Sequence, residues 1–245
     1  MDLLLEEIRE WAQIITYPVP YSEELFRRVT EFRMLGIKRF IEEGGVEVLG
    51  KRVLGKGTVG IVVRAEFIGG TSVAVKIRRL DASRPTLLRE ARILHKINAL
   101  NVGPRLIAAS RNFLVWKFVE GVPLDEWILK SSATEIRLTF SLILSQLWTL
   151  DRIGVAHNEL SRFKDHILVQ RDGTPVIIDF ESSSENKFAS NIPQFLGFLL
   201  NENSRLARIL YEKLGVKKSR EEIVQTLRNY KKGRASLYDI YALLE

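Results

Sequence analysis

Cysteine is missing from all 245 positions of the chain. Disulfide bonds and thiolate metal sites are therefore excluded, and this composition is typical of proteins from a reducing compartment. The sequence also has no apolar run approaching the roughly 18 residues of a membrane-spanning helix. Its first residues carry acidic side chains where a secretory signal would carry lysine or arginine. We therefore predict a cytoplasmic protein that has no membrane partner.

The charge of the chain is unbalanced, with 37 lysine and arginine residues against 30 aspartate and glutamate residues. The basic side chains concentrate in the last third of the sequence: Arg205, Arg208, Lys213, Lys217, Lys218, Arg220, Arg228, Lys231, Lys232 and Arg234. Interspersed glutamates favour ordinary solvated helix faces, whereas a net charge of +7 also fits contact with an anionic partner such as RNA or the ribosome. The sequence alone leaves both interpretations open.

Residues 1–45 are predicted to form a helical extension before the main fold. Pro18 and Pro20 would separate two amphipathic helices, and the second would start after Ser22 and stop before the glycine pair at 44–45. We expect this extension to pack on the strand-rich segment that follows it. An arm that binds a partner is the alternative.

Short β-branched runs replace the helical pattern from Val46 onward. They predict strands at 46–54, 61–68, 72–77, 104–109 and 113–118, with a helix at 85–100. These elements would make residues 46–119 a strand-rich lobe.

Helical patterns dominate residues 120–245. A long helix is predicted to start at the capping box Ser132 to Glu135 and to end near Gly154. A hairpin is expected about the Asp172-Gly173 turn. Helices are then expected at 193–200, 204–214, 219–230 and 236–244. The fold class predicted for the whole chain is α+β.

A glycine-rich segment, Leu54-Gly55-Lys56-Gly57-Thr58-Val59-Gly60-Ile61-Val62, lies at the start of the strand-rich lobe. The same glycine spacing also occurs in dinucleotide-binding sites, but there a helix follows the loop, whereas here another strand is predicted. Gly55, Gly57 and Gly60 would let backbone amides approach phosphate groups without a Cβ in the way. Leu54 and Val62 would cover the face of an adenine ring.

A lysine and a glutamate are predicted to meet beside this loop. Strand alternation places Ala74 and Lys76 on one face of a strand, and Lys76 follows Gly60 by 16 residues. On the next helix Glu90 shares a face with the apolar stripe Leu87, Ala91, Leu94 and Ile97. Because a buried carboxylate needs a partner, we predict a Lys76–Glu90 ion pair. The alternatives are a lysine that snorkels from a strand end and a glutamate that reaches solvent.

Asp179 follows the apolar run Val176 to Ile178, so its carboxylate would leave the core where a strand ends. That position suits Mg²⁺ or Mn²⁺ held against phosphate oxygens, although an aspartate can also cap a turn. The segment around Trp116 resembles a kinase hinge, in which the backbone from Lys117 to Val119 would pair with adenine. Taken alone, that segment fits any buried strand.

Together these motifs resemble the protein-kinase-like superfamily over about residues 46–200. The similarity is greatest to compact, atypical members: the RIO-type kinases and a group of predicted archaeal serine/threonine kinases. The resemblance implies a two-lobed fold, with a small antiparallel N-lobe, a mainly helical C-lobe and ATP in the cleft. It also implies a metal ion on Asp179 and an amine, that of Lys76, which Glu90 directs towards the phosphates.

The catalytic loop departs from the family pattern, which reads H-R-D-L-x-x-x-N, or H-G-D-L-S-x-x-N in RIO-type members. In this chain the loop begins at His157, and Glu159 stands where the catalytic aspartate belongs. Lys164 replaces the metal-binding asparagine, so either Asp165 or His166 would supply the second metal ligand. Oxygen chemistry favours Asp165 and the alignment favours His166. His157 is expected to be a structural hydrogen-bonding residue.

The segment after Asp179 is short and has Glu181 in place of the usual glycine. Asp179-Phe180-Glu181 also resembles aminoglycoside and choline phosphotransferases, and a short activation segment offers no large platform for docking peptides. Ser182, Ser183 and Ser184 are interpreted as a solvated turn, and autophosphorylation of these serines is the alternative. The predicted function is an ATP-dependent Ser/Thr phosphotransferase that phosphorylates itself and a hydroxyl of a protein or small molecule. The alternatives are an ATP-binding or ATP-hydrolysing pseudokinase, a small-molecule kinase and an RNA-associated protein.

Overall fold

A computed structural model describes residues 2–19, 23–185, 189–201 and 204–244, with side chains from residue 9 onward. The chain divides into two compact units, one made of Met1–Asn98 with Pro104–Phe118 and the other of Ala99–Gly103 with Val119–Glu245. Pro20 and Ser22, which bear on the start of the second predicted helix, lie outside the described residues.

The first unit is built on an antiparallel sheet. Its elements are α1 (Asp2–Ile15), α2 (Glu24–Met34), β1 (Ile37–Ile41), β2 (Val46–Val48), β3 (Lys51–Val53), β4 (Gly55–Lys56), β5 (Gly60–Phe67), β6 (Ser72–Arg78), α3 (Leu88–Asn98), β7 (Leu106–Ala109) and β8 (Phe113–Lys117). The strands of the main sheet lie in the order β1-β5-β6-β8-β7, and β4 pairs with β5 beside this path. Strands β2 and β3 form a separate hairpin.

The first two helices cover one face of this sheet. Val75 of β6 lies opposite Val63 and Val115, and all three side chains are buried. They belong to a single apolar cluster with Trp11 of α1 and Phe32 of α2. The N-terminal extension therefore packs on the strand-rich segment, as expected.

The prediction of helix up to Gly44 was wrong for residues 35–43. Helix α2 ends at Met34, Gly36 adopts a left-handed backbone with φ 77°, and β1 pairs antiparallel with β5. Glycine is the residue that most readily adopts this conformation at a helix end. The predicted strand 46–54 is also divided, because Leu49 and Gly50 both have positive φ and turn the chain into the β2–β3 hairpin.

The second unit is mainly helical. Its elements are β9 (Gly121–Pro123), α4 (Leu124–Lys130), α5 (Ala133–Arg152), β10 (Val155–Ala156), α6 (Phe163–His166), β11 (Ile167–Gln170), β12 (Pro175–Ile177), β13 (Ser184–Glu185), α7 (Asn191–Leu196), α8 (Arg205–Leu214), α9 (Arg220–Lys231) and α10 (Leu237–Tyr241). Two small antiparallel sheets accompany the helices, one of strands β12-β11-β9 and one of β10 and β13.

Local signals located the main elements of this unit correctly. Ser132 and Glu135 form the predicted capping box, and α5 runs from Ala133 to Arg152. The predicted hairpin is the β11–β12 pair, in which Gly173 has a positive φ. The molecule is thus an α+β protein with antiparallel sheets. Among the described residues no helix is long and apolar enough to cross a membrane.

Candidate functional site

The glycine-rich segment forms a tight hairpin between β4 and β5, so the predicted order of strand, loop and strand is confirmed. At the base of the hairpin the Leu54 amide donates a hydrogen bond to the Val62 carbonyl oxygen, at 2.9 Å. At its tip the Gly57 amide donates to the Gly60 carbonyl oxygen, at 2.8 Å. The tip is thus a closed turn that is stabilised by its own backbone.

Gly60 is required because Lys76 packs directly on it. A Cβ atom at Gly60 would lie 2.8 Å from Lys76 Cγ and 3.0 Å from the Ile77 carbonyl oxygen. Val62 pairs with both Gly55 and Lys76 across neighbouring strands, so these three residues face the same side of the sheet. Any larger residue at position 60 would displace the Lys76 side chain.

Lys76 forms the predicted ion pair with Glu90 of α3. The Lys76 Nζ atom lies 2.9 Å from Glu90 Oε2, and the two side chains are only 4% and 5% exposed. A buried carboxylate and a buried ammonium compensate each other, whereas either one alone would be costly to bury. The pair fixes the amine on the same side of the sheet as Ala74 and Val62.

Tyr17, in the segment after α1, contacts the glycine-rich hairpin on the side away from Lys76. Lys56 Nζ donates a hydrogen bond to the Tyr17 hydroxyl oxygen at 2.7 Å. Lys56 Nζ and Arg79 Cζ also lie 4.6 Å and 5.1 Å from the centre of the Tyr17 ring. Arg79 in turn donates to the Gly57 carbonyl oxygen at 2.9 Å. These contacts connect the N-terminal extension to the tip of the glycine-rich hairpin.

Two backbone amides of the hinge-like segment already form hydrogen bonds within the first unit. The Lys117 amide donates to the Arg105 carbonyl oxygen at 2.9 Å, and the Phe118 amide donates to the Ser72 carbonyl oxygen at 3.1 Å. These two amides are therefore used within the first unit. Val119, also assigned to base recognition, is half-buried and begins the next part of the chain.

Glu159, in the second unit, has contacts at both of its carboxylate oxygens. Ser182 Oγ donates a short hydrogen bond to Oε1. Arg162 Nη2 lies 2.6 Å and His166 Nε2 lies 3.1 Å from Oε2. The hydrogen bond from Ser182 contributes most to lowering the pKa of the Glu159 carboxyl below its ordinary value. Glu159 is therefore an oriented carboxylate at neutral pH.

His157, two residues before Glu159, anchors the Glu159 loop in the core. The ring is fully buried, and its Nε2 donates to the Ile178 carbonyl oxygen at 2.9 Å, which fixes the tautomer. The His157 amide donates to Asn191 Oδ1 at 2.8 Å. Burial lowers the pKa of His157 to about 4, so the imidazole is neutral. The structural role expected for His157 is confirmed.

Asp179 is the second residue after β12 and is exposed. Its backbone is left-handed, with φ 61°. This conformation is uncommon for residues other than glycine, and such outliers cluster at functional sites. The preceding residue, Ile178, is held by two hydrogen bonds, one from His157 to its carbonyl and one from its amide to the His166 carbonyl. The chain therefore presents the Asp179 carboxylate from a rigid backbone position.

The two candidates for a second metal ligand occupy different surroundings. His166 is 5% exposed and contacts Glu159, whereas Asp165 is exposed on α6. In the described part of the chain no group of three or more histidine and acidic residues could hold a metal ion by itself. Mg²⁺ commonly needs only one or two carboxylates when substrate phosphates supply the remaining ligands. The oxygen donors of Asp179 and Asp165 fit such an ion better than the His166 nitrogen does.

Several residues of the site were missed by sequence reasoning. Ser182 was interpreted as part of a solvated turn, yet it binds Glu159, and its neighbour Ser183 is buried. Asn191 links His157 to the Asp151 carboxylate, whose oxygen accepts the Asn191 amide hydrogen at 2.7 Å. These contacts join residues that are far apart in the chain, so no local spacing could have indicated them.

Comparison with known proteins gives no family: no family model matches the chain, and no curated protein matches it. The function is therefore inferred from the residues and their geometry.

Proposed function

We propose that the protein is an ATP-dependent phosphotransferase of the protein-kinase-like type, acting on serine or threonine hydroxyls and on itself. The observation that carries this proposal is the buried Lys76–Glu90 ion pair packed against Gly60 of the glycine-rich hairpin. A buried ion pair is weak evidence for stability, because desolvation offsets its attraction. An amine held rigidly beside a glycine-rich turn is better explained by binding an anion.

Each unit would contribute a different part of the chemistry. In the first unit Lys76 would position the phosphates, while Leu54, Val62 and Ala74 would contact the base. Gly55 faces open space, with no atom within 4 Å of a Cβ built there, so its backbone is accessible. In the second unit the Asp179 carboxylate would hold Mg²⁺ or Mn²⁺. The bound cation would supply charge neutralisation on the phosphate oxygens.

Glu159 would orient the acceptor hydroxyl and accept its proton. The carboxylate is ionised, and Ser182, Arg162 and His166 restrict its rotation. Glutamate is one methylene longer than the aspartate of the family pattern. The three contacts compensate for the extra freedom of that longer side chain, because a fixed base needs less reorganisation during reaction.

A second candidate function is a nucleotide-binding module that transfers no phosphate to a hydroxyl. The observation that favours it is that both Glu159 oxygens are already engaged. An acceptor hydroxyl would have to displace or share one of these hydrogen bonds. The two candidates agree on nucleotide binding and differ only in transfer.

The test compares Lys76→Met and Asp179→Asn with the unchanged chain. Asparagine adopts positive φ more readily than most residues, so Asp179→Asn removes the charge and leaves the backbone in place. We expect each variant to lose transfer of labelled phosphate from ATP by about 100-fold or more. Lys38→Met, an exposed lysine of the same sheet, serves as the control and should retain activity. Undiminished transfer in both site variants would exclude the proposal.

Nucleotide binding is measured in parallel with a fluorescent ATP analogue and Mg²⁺. Binding that depends on Lys76, together with transfer to a hydroxyl, supports the phosphotransferase. Binding that depends on Lys76 without any transfer, to the chain itself or to added acceptors, identifies the second candidate.

A further inference from the structure

A cavity of about 480 Å³ lies in the second unit beside the loop that carries Glu159. It is lined by α4, by residues 161–164 and by the start of α8. Its apolar lining includes Leu129, Leu206 and Ile209, and its cationic lining is Arg162, Lys164 and Arg205. The cavity thus combines an aliphatic surface with a positively charged rim.

The cavity is connected to the candidate site through Arg162. Its Nη2 atom lies 2.6 Å from Glu159 Oε2, so one side chain belongs both to the cavity wall and to the surroundings of Glu159. A hydroxyl placed near Glu159 would therefore have its neighbouring groups over the cavity.

Within the described ranges, the other two cations of the rim, Lys164 and Arg205, have no ion pair that would account for their positions. In the part of the chain that the structure describes, neither Lys164 nor Arg205 forms an ion pair, and both are exposed. Arg205 is the first residue of α8, where the helix dipole disfavours a positive charge. Among the lining residues that the structure describes, three cations stand against one carboxylate, that of Asp125, so this part of the rim carries an excess of positive charge.

We propose that this cavity binds the residues flanking the acceptor hydroxyl, and that the acceptor is a serine or threonine in an acidic peptide segment. This proposal rests on the proposed function, because it assigns the substrate class of the same site. Charge complementarity selects aspartate and glutamate for the rim, and the aliphatic surface accommodates a leucine-sized side chain.

A peptide fits the lining better than a nucleic acid does. Single-stranded nucleic acids are bound by stacking their bases on accessible aromatic rings. The aromatic side chain in the lining, Phe163, is only 6% exposed, and the apolar atoms offered to a ligand are aliphatic.

The first experiment measures transfer to three peptides that differ only in the residues around one serine and one leucine: acidic, neutral and basic. We expect the KM for the acidic peptide to be about tenfold lower than for the neutral one, with the basic peptide the poorest acceptor. Equal KM values for the three peptides would overturn the proposal.

Charge reversal identifies the surface that makes this selection. Arg205→Glu and Lys164→Glu should each raise the KM for the acidic peptide by about tenfold, because attraction is replaced by repulsion. For Arg205→Glu, which lies outside the catalytic loop, the kcat and the affinity for nucleotide should not change. Arg205→Glu places an acid in the first turn of a helix, which favours folding. Arg162 is not substituted because it contacts Glu159.

The matched control is Arg208→Glu, which reverses an exposed charge on the same helix but outside the cavity lining. It should leave the KM for the acidic peptide unchanged. If Arg208→Glu has the same effect as Arg205→Glu, the selection arises from overall charge, and the cavity assignment fails.

Direct binding separates this proposal from the proposed function. A fluorescent acidic peptide with alanine at the acceptor position is titrated with the full chain. The competitors are the unlabelled acidic peptide, the basic peptide and an oligoribonucleotide with the same net charge as the acidic peptide. If Arg205→Glu weakens peptide binding but no acceptor is phosphorylated, the result supports peptide binding in the cavity and excludes the phosphotransferase function. Displacement by the oligoribonucleotide at a lower concentration than by unlabelled acidic peptide would assign the cavity to RNA and overturn the proposal.

Discussion

At the scale of single residues, Ser182 sets the ionisation of Glu159. Its hydrogen bond is the main cause of the lowered pKa of the Glu159 carboxyl, so Ser182→Ala should raise that pKa towards the ordinary value. A general base must be deprotonated to act. As the pH is lowered, the rate of transfer should therefore begin to fall at a higher pH in the variant than in the unchanged chain. The measurement is kcat between pH 4 and 8 at saturating nucleotide. Ser182→Thr, which keeps a hydroxyl, should restore the original profile, and identical profiles for Ser182→Ala and the unchanged chain would contradict this role.

His157 should make the stability of the chain depend on pH. Its pKa is lowered from 6.5 to about 4 by burial, so between these values the unfolded imidazole binds a proton that the folded one does not. The free energy of unfolding should therefore fall as pH decreases from 6.5 towards 4, by on the order of 3 kcal/mol for this group. Above pH 6.5 the contribution is constant. His157→Gln, measured by urea unfolding at several pH values, should show a shallower decrease over that interval, and an equally steep decrease would exclude the assignment.

The residues of the site differ in how far the sequence could predict them. Lys76 and Glu90 were predicted to pair because each was located by a local rule, strand alternation for one and a helical stripe for the other, and the 2.9 Å contact confirms the pair. Ser182 and Asn191 gave no such signal. Their partners, Glu159 and His157, are brought to them only by the tertiary fold.

At the scale of elements, Tyr17 should restrict the glycine-rich hairpin. Tyr17→Leu removes the hydrogen bond from Lys56 and two cation–π contacts, each worth about 0.5–1 kcal/mol at an exposed site. We expect faster amide hydrogen exchange at residues 55–61. The KM for nucleotide should rise about threefold, or about 0.7 kcal/mol, because only part of the lost contact energy is coupled to nucleotide binding. Tyr17→Phe keeps the ring and should have an intermediate effect. Unchanged exchange in the hairpin of Tyr17→Leu would contradict the prediction.

The element that the sequence misassigned is β1. Its buried residues are Ile37 and Phe40, and the intervening Lys38 and Arg39 are both exposed. A spacing of three residues is that of a helix, and here it arises because the pairing with β5 shifts register between Ile37 and Arg39. The periodicity of a bulged edge strand therefore imitates a helix. Helix α5 and the β11–β12 hairpin were predicted correctly because a capping box and an Asp-Gly turn are local signals.

At the scale of the whole molecule, the N-terminal helices are part of the core of the first unit. Phe32 of α2 is 4% exposed and packs near Phe40 and Phe113, with ring centroids at 4.9 Å and 6.3 Å. Phe32→Ala should lower the free energy of unfolding by about 3–5 kcal/mol, because it removes buried contacts and leaves a cavity. Urea unfolding followed by far-UV circular dichroism measures the change.

Phe26 provides the matched control for this prediction. It lies on the same helix and is 84% exposed. Phe26→Ala should alter the free energy of unfolding by no more than about 0.5 kcal/mol. Equal losses in the two variants would mean that α2 does not contribute to the core through its buried face.

The covering of the sheet by α1 and α2 also bears on how the protein is made. Every strand of the main sheet, and both helices that cover it, precede Val119 in the chain. Domains generally fold as units during synthesis, the N-terminal one first. The emerging polypeptide can therefore bury the apolar side of its sheet while the remainder is still being translated. We expect this order of synthesis to limit the time during which aggregation-prone strands are exposed to other nascent chains.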